Sequence, residues 1–149
     1  MSATQAPESI QDAIVNIGYF THEISCLGVI NLGDNTDGDT PQAETLQRNA
    51  YLNQLFQGIG IPYYPCIGNH DDNRYYSLLN LNQIKQSYLS LTHDVIMDSS
   101  MSGTNYYKDF PEYKIRFIWL NANVEGRYGY SDSTVEWLQN TALKTEDGY

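Results

Sequence analysis

The chain has 149 residues, with 8 Lys plus Arg against 18 Asp plus Glu, and a formal net charge of −10. That length suits a single domain with a sizeable core, since a chain of this size buries about 70% of its unfolded surface. With 41% hydrophobic and 13% aromatic residues the composition is globular, which excludes a disordered chain. The acidic balance argues against a general nucleic-acid surface, which needs clustered Lys and Arg. No apolar run approaches the ~20 residues of a membrane span. The segment from Met1 to Pro7 has no basic n-region and no apolar h-region, so no signal peptide is expected and the compartment stays open. The two cysteines, Cys26 and Cys66, each lie among apolar residues outside any CxxC, and both read as small core residues and not as a disulfide or metal pair.

Pro7 suits a helix start, and Ile10, Ala13, Ile14, Ile17, Phe20 and Ile24 recur at helical spacing, so a helix is predicted from Glu8 to Ser25. Leu27 to Leu32 is a short apolar run read as a buried strand. Gly33 to Pro41 is an acidic loop, Gln42 to Gln57 a second helix ended by Gly58, and Ile61 to Ile67 a second apolar strand. Gly68 to Arg74 is a polar loop. Strands alternating with helices predict a parallel α/β sheet, and in such sheets ligands sit outside the carboxyl ends of the strands. Both polar loops fall there, so both should open on one sheet edge. Further on, Leu81 to Leu91 reads as a helix. Thr104 to Phe110 and Tyr113 to Asn121 read as a hairpin turning at Pro111-Glu112. Asp132 or Ser133 is expected to cap a last helix, with Trp137, Leu138 and Leu143 facing inward.

The first loop contains Gly33-Asp34-Asn35-Thr36-Asp37-Gly38-Asp39 and the second Gly68-Asn69-His70-Asp71-Asp72. Together they would bring carboxylates, an amide and an imidazole to one edge. Hard divalent cations take oxygen ligands and imidazole suits transition metals, while a glycine before each ligand allows close approach. Asp34 and Asp37, or Asn69 and His70, could instead serve as turn and capping residues. A calcium-loop register centred on Gly38 sets Asn35, Asp37 and Glu44 in place but puts Gly33 where a carboxylate is required. Asp71 is open between a ligand and a supporting role. Asp72 and Arg74 are expected in solvent, with a phosphate contact from Arg74 as the alternative. His22 reads as a surface or packing residue, and His93 as a surface residue or one at the site edge. Tyr75 and Tyr76 read as packing, with stacking on a substrate as the alternative.

Gly33-Asp34-Asn35-Thr36-Asp37 resembles the GDxxD motif of the calcineurin-like metallophosphoesterases, and Gly68-Asn69-His70-Asp71 resembles their GNHD motif. The order, the helix between them and the apolar run before each also agree. Phe117 to Asn121 resembles a later family strand, and Val135 to Leu138 the helix after it. The resemblance implies an α/β fold, part of the αββα sandwich with a mixed sheet and helices outside. It implies hydrolysis of phosphate mono- or diesters by two divalent ions (Mn, Fe, Zn or similar), with a phosphate ester as the substrate. Residue by residue, it implies that Asp34 bridges the two metals and that Asn69 is an amide ligand of the second. His70 would be the general acid at the leaving oxygen, and Asp37 would orient His70 and stabilise its protonated form.

The family's DxH and GHxH motifs are not in this sequence, whose only histidines are His22, His70 and His93. Residues 1–149 are therefore expected to be a single partial phosphoesterase domain with weak or single-ion binding and little activity. An exposed sheet edge would then be open to pairing with another chain. The alternative is a phosphoesterase-like module that has lost catalysis and serves a structural or binding role in a larger assembly.

Overall fold

A computed structural model of the chain describes residues 8–99, 103–124 and 127–145. The elements run α1 (Glu8–Glu23), β1 (Val29–Asn31), α2 (Gln42–Gln57), β2 (Tyr63–Pro65), α3 (Leu81–Tyr88), β3 (Ile96–Met97), β4 (Tyr106–Phe110), β5 (Ile115–Trp119), β6 (Asn123–Val124), β7 (Arg127–Tyr128) and α4 (Asp132–Trp137). This is the expected α/β class. Parallel and antiparallel pairing are both present, divided among small sheets: β1 with β2, β3 with β4 and β5, and β6 with β7.

The β1–α2–β2 unit positions the site. Val29 pairs with Tyr63 and Asn31 with Pro65 in parallel register, so both strands end level and their following loops leave from one edge. Helix α2 stops at Gly58, whose amide bonds back to Gln54 and Phe56. Helix α3 starts at a capping box, in which the Asn80 side chain accepts from the Gln83 amide and the Gln83 side chain accepts from the Asn80 amide.

Two apolar clusters hold these parts together. One joins Tyr64, Ile67, Ile84, Tyr88, Tyr106 and Trp119. Trp119 stacks on Tyr106 and on Tyr64 at centroid distances of 4.8 and 5.2 Å, and the buried Tyr106 hydroxyl donates to the Pro65 carbonyl at 2.8 Å. That bond satisfies the one polar atom the ring brings inside, and links β4 to β2. The second cluster gathers Ile14, Phe56, Ile59, Tyr63 and Leu91 under α1 and α2, with Phe56 stacked on Tyr63 at 4.2 Å.

Several expectations are corrected. Only Ile14 and Ile17 of the α1 series join the core, while Ile10, Phe20 and Ile24 are exposed, because α1 leans on α2 and Ile59 with one face. The run from Leu27 to Leu32 forms a strand, but not a buried one: Leu32 is 83% exposed and Leu27 and Ile30 are also open. Among the described residues β1 has a neighbour on one side only. The last helix is capped one residue earlier than expected, by Ser131, whose Oγ accepts from the Thr134 amide at 3.2 Å. Asp132 is then the first helical residue, where its charge favours the positive end of the helix. Trp137 is buried, but Leu143 is exposed beyond a π-helical turn over Leu138–Ala142. The hairpin turns through a 3-10 segment, Pro111–Tyr113, and a left-handed Lys114. Both cysteines are free, and Cys66 packs against the larger cluster.

Candidate metal centre

The two loops meet through their glycines. Gly33 (φ +92°) and Asp34 (φ +56°) are successive left-handed residues that turn the chain sharply off β1. The turn lays Gly33 on Gly68. A Cβ on Gly33 would collide with the Gly68 backbone, and a Cβ on Gly68 with the Asp34 amide and carboxylate. No other residue fits either position without moving main chain.

Asp71 clamps the junction. It is fully buried, and its carboxylate receives three backbone N–H groups: Gly68 at 2.7 Å and Asp34 at 2.9 Å on Oδ2, and Asn35 at 2.8 Å on Oδ1. Burial pushes its pKa up, the three amides pull the other way, and the nearby Asp34 charge adds to the rise. Of the two roles open for Asp71, this geometry is a support. Asn31 adds a second brace from β1. Its Oδ1 accepts from the Gly33 amide at 2.8 Å, and its Nδ2 donates to Asn35 Oδ1 at 2.7 Å and to the Tyr63 hydroxyl at 3.0 Å. An Asn two residues before a glycine turn was the available signal for it.

Asp34 is exposed and close to the second loop, its Oδ1 accepting from the His70 amide at 3.0 Å. A carboxylate has capacity for further partners after one such bond. His70 is half-buried, and its Nδ1 lies 2.6 Å from the Asp37 carbonyl oxygen. A carbonyl only accepts, so Nδ1 carries the proton and donates, leaving Nε2 as the ring nitrogen available for chemistry. Asp37 thus meets His70 through its main chain and not, as expected, through its carboxylate. That carboxylate is 83% exposed and lies 3.9 Å from an Arg48 nitrogen. The reason is steric: the chain at Gly38 crosses so close to His70 that a Cβ there would sit 2.8 Å from the His70 carbonyl. At this crossing the first loop meets the imidazole with its main chain. Asn69 is half-buried between Gly68 and His70, with its side chain near the Tyr75 hydroxyl.

Asp72 and Arg74 are not solvated. Asp72 is buried and takes a bidentate pair from Arg74, Nε to Oδ1 at 3.0 Å and Nη2 to Oδ2 at 2.8 Å. The same guanidinium donates to Asn123 Oδ1 at 3.2 Å and lies 4.6 Å from the Tyr128 ring centre. The fork geometry of Arg and Asp makes this a fixed strut, and Asp72 keeps the Arg74 pKa above its usual value. Beneath the junction, the buried Thr36, Asn49 and Tyr88 turn polar atoms toward one another beside Asp71 without a direct hydrogen bond of normal geometry. Burial beside Asp71 pushes the Tyr88 pKa up. Nothing in the helical patterns of α2 and α3 signals this cluster. The other histidines stand apart from the loops. His22 Nε2 is 3.1 Å from the Ile59 carbonyl, and His93 lines a cavity with Phe56, Pro62 and Leu91 at the amino end of β2.

The family model for calcineurin-like phosphoesterases matches residues 23–146, which hold both loops, the hairpin and α4. The chain belongs to the calcineurin-like phosphoesterase family. No curated protein and no solved structure matches it. The phosphoesterase family works with divalent ions, so the donors can be tested against that requirement. Asp34, exposed beside the glycine cradle, offers a hard oxygen donor of the kind such an ion takes, and the half-buried Asn69 carries an amide oxygen of the same kind. Among the described residues no group of three or more His, Cys, Asp or Glu converges, so those residues alone do not make a two-ion centre. Among the same residues no helix is long and apolar enough to cross a membrane.

Proposed function

We propose that this phosphoesterase chain hydrolyses phosphate mono- or diesters in a metal-dependent reaction centred on the two loops. The observation that carries this reading is the glycine-on-glycine junction clamped by Asp71, which brings Asp34 and the His70 main chain within a hydrogen bond of each other. In this reading Asp34 and the carbonyl oxygen of Asn69 hold a divalent ion such as Mn²⁺, Fe²⁺ or Zn²⁺. When bound, such an ion polarises a phosphoryl oxygen and lowers the pKa of a water. His70 holds a proton at Nε2 and gives it to the departing ester oxygen, since an alkoxide leaves poorly unprotonated. The Asp37 carbonyl fixes the Nδ1 proton and with it the ring orientation, the part first assigned to the Asp37 carboxylate. Two protein oxygens leave most of a coordination sphere to water, so ion binding is expected to be weak and turnover low.

The test is turnover of an activated aryl phosphate with and without added Mn²⁺. The expected result is slow, metal-dependent hydrolysis that falls about 10²–10⁴-fold in His70→Ala, with Mn²⁺ affinity retained. Turnover indifferent to both metal and His70 would overturn the reading.

The lack of a convergent three-ligand group among the described residues favours a second reading, a non-catalytic phosphoesterase-like module. The open apolar residues on α1 and β1 suit a partner surface, including a second chain adding to the β1 edge. Mn²⁺ binding at the loops with no hydrolysis of any of several esters would favour this module.

A further inference from the structure

His70 does not stand alone at the mouth of the two loops. The Tyr75 ring packs edge-on against its imidazole at a centroid distance of 5.1 Å. Tyr75 is more than half exposed, yet its backbone is pinned, its amide donating to the Gly38 carbonyl at 2.9 Å. Tyr128, on β7 opposite Asn123, is 71% exposed and rests on the Arg74 guanidinium at 4.6 Å. Asp72 and Asn123 lock that guanidinium in turn. The Tyr75 hydroxyl lies close to the Tyr128 hydroxyl and to the Asn69 side chain. Two neighbouring solvent-facing rings are therefore backed by main chain and the His70 ring on one side and by an ion-paired guanidinium on the other. Surface tyrosines with no task need none of these restraints. Rings fixed in advance lose little conformational entropy when a flat group stacks on them.

Charge narrows what that group is. The two arginines near the loops are already engaged, Arg74 with Asp72 and Arg48 with Glu44 and Asp37. The first loop adds the exposed carboxylates of Asp34, Asp37 and Asp39. A leaving group with its own negative charge would meet repulsion from these carboxylates, with the Arg74 and Arg48 guanidiniums already paired.

We propose that Tyr75 and Tyr128 form a subsite for an uncharged aromatic leaving group, an aryl or nucleoside moiety esterified to the phosphate. The proposal rests on the phosphoesterase reading and on His70 as its acid. With Nδ1 committed to Asp37, the leaving oxygen lies at Nε2, and its carbon substituent comes into the neighbourhood that Tyr75 and Tyr128 share.

The test needs no turnover. The isotope-labelled chain is titrated by NMR with phenylphosphonate and with methylphosphonate, each in the presence of Mg²⁺, with the Gly68–His70 and Tyr75 amides as reporters. Phenylphosphonate is expected to bind about 3- to 10-fold more tightly, the range of one aromatic contact. The ratio should fall to within about twofold in Tyr75→Leu and in Tyr128→Leu, and should survive in Tyr75→Phe, which keeps the ring. Both positions are exposed, so the variants should fold, as their amide spectra would verify. Equal binding of the two probes, or a preference that persists in both Leu variants, overturns the subsite and leaves the phosphoesterase reading standing. If neither probe shifts the loop amides with Mg²⁺, Mn²⁺ or Zn²⁺ present, the phosphoesterase reading falls and the subsite with it.

Discussion

Strand β1 separates two regions built on opposite terms. At its carboxyl end, polar residues are packed as tightly as a core: Gly33 on Gly68, with Asp71 buried under three amides. Along its flank, the apolar Ile30 and Leu32 lie open, as do Phe20 on α1 and Ile24 just after it. Hydrophobicity alone would assign burial the other way round. What decides is whether the main chain presents something to bind. Three N–H groups converging on one point make a place for a carboxylate, whereas an apolar side chain needs a facing surface, and β1 has a neighbour on one side only among the described residues.

If the junction is the structural keystone, removing its buried acid should have the largest effect. Asp71→Ala leaves three buried N–H groups without an acceptor and should cost about 3–5 kcal/mol, read from urea denaturation, with loss of the native amide shifts of Gly33–Asn35 and Gly68. A cost under 1 kcal/mol would mean that the loops stay closed without the clamp. Gly68→Ala comes next. The added Cβ would meet the Asp34 backbone and carboxylate, which cannot yield as a flexible chain end would, so about 1–3 kcal/mol should be lost, together with any metal response at Asp34.

The Asp109–Arg116 pair, distant in role, gives a smaller effect with a pH signature. Arg116 donates to both Asp109 oxygens at 2.5 and 2.6 Å and holds that carboxyl below the usual range. A lowered folded-state pKa means stability that is present above the unfolded value near 4 and lost as pH falls through the folded value. Asp109→Asn should therefore cost about 0.5–1 kcal/mol at pH 7, and the gap from the parent chain should narrow as pH falls below the unfolded value. Leu32→Ser should be the mildest, within about 0.5 kcal/mol, because that side chain already faces water. A large loss there would mean that the β1 flank is covered in solution and would favour the partner-binding module.

The same contrast explains what was legible in the sequence. Glycines at strand ends followed by ligand-type residues marked both loops, and a parallel sheet required them to share an edge, as the level register of β1 and β2 bears out. Helix ends were readable where one residue carries the signal, as at Gly58. Burial was not readable at Leu27 to Leu32, because an apolar run states a preference and not the presence of a partner surface. The atom by which a residue acts was equally hidden. Asp37 has the carboxylate chemistry would choose, yet it reaches His70 with its carbonyl because Gly38 brings the chain too close for anything larger. Asp72 and Arg74 read as solvated charges, and Asp71 as either a ligand or a support. Three amides on one, and a bidentate pair between the other two, made them interior. Such many-body closures have no signature in spacing.

The account turns on the two loops binding one divalent ion through Asp34. Mn²⁺, added in small steps to the isotope-labelled chain, relaxes nearby amides and so reports its own position by NMR. The account predicts that the amides of Gly33–Asp37 and Gly68–His70 broaden first and together, and that this response disappears in Asp34→Ala while the rest of the spectrum is preserved. Broadening led by acidic positions elsewhere, or an unchanged loop response in Asp34→Ala, would contradict it.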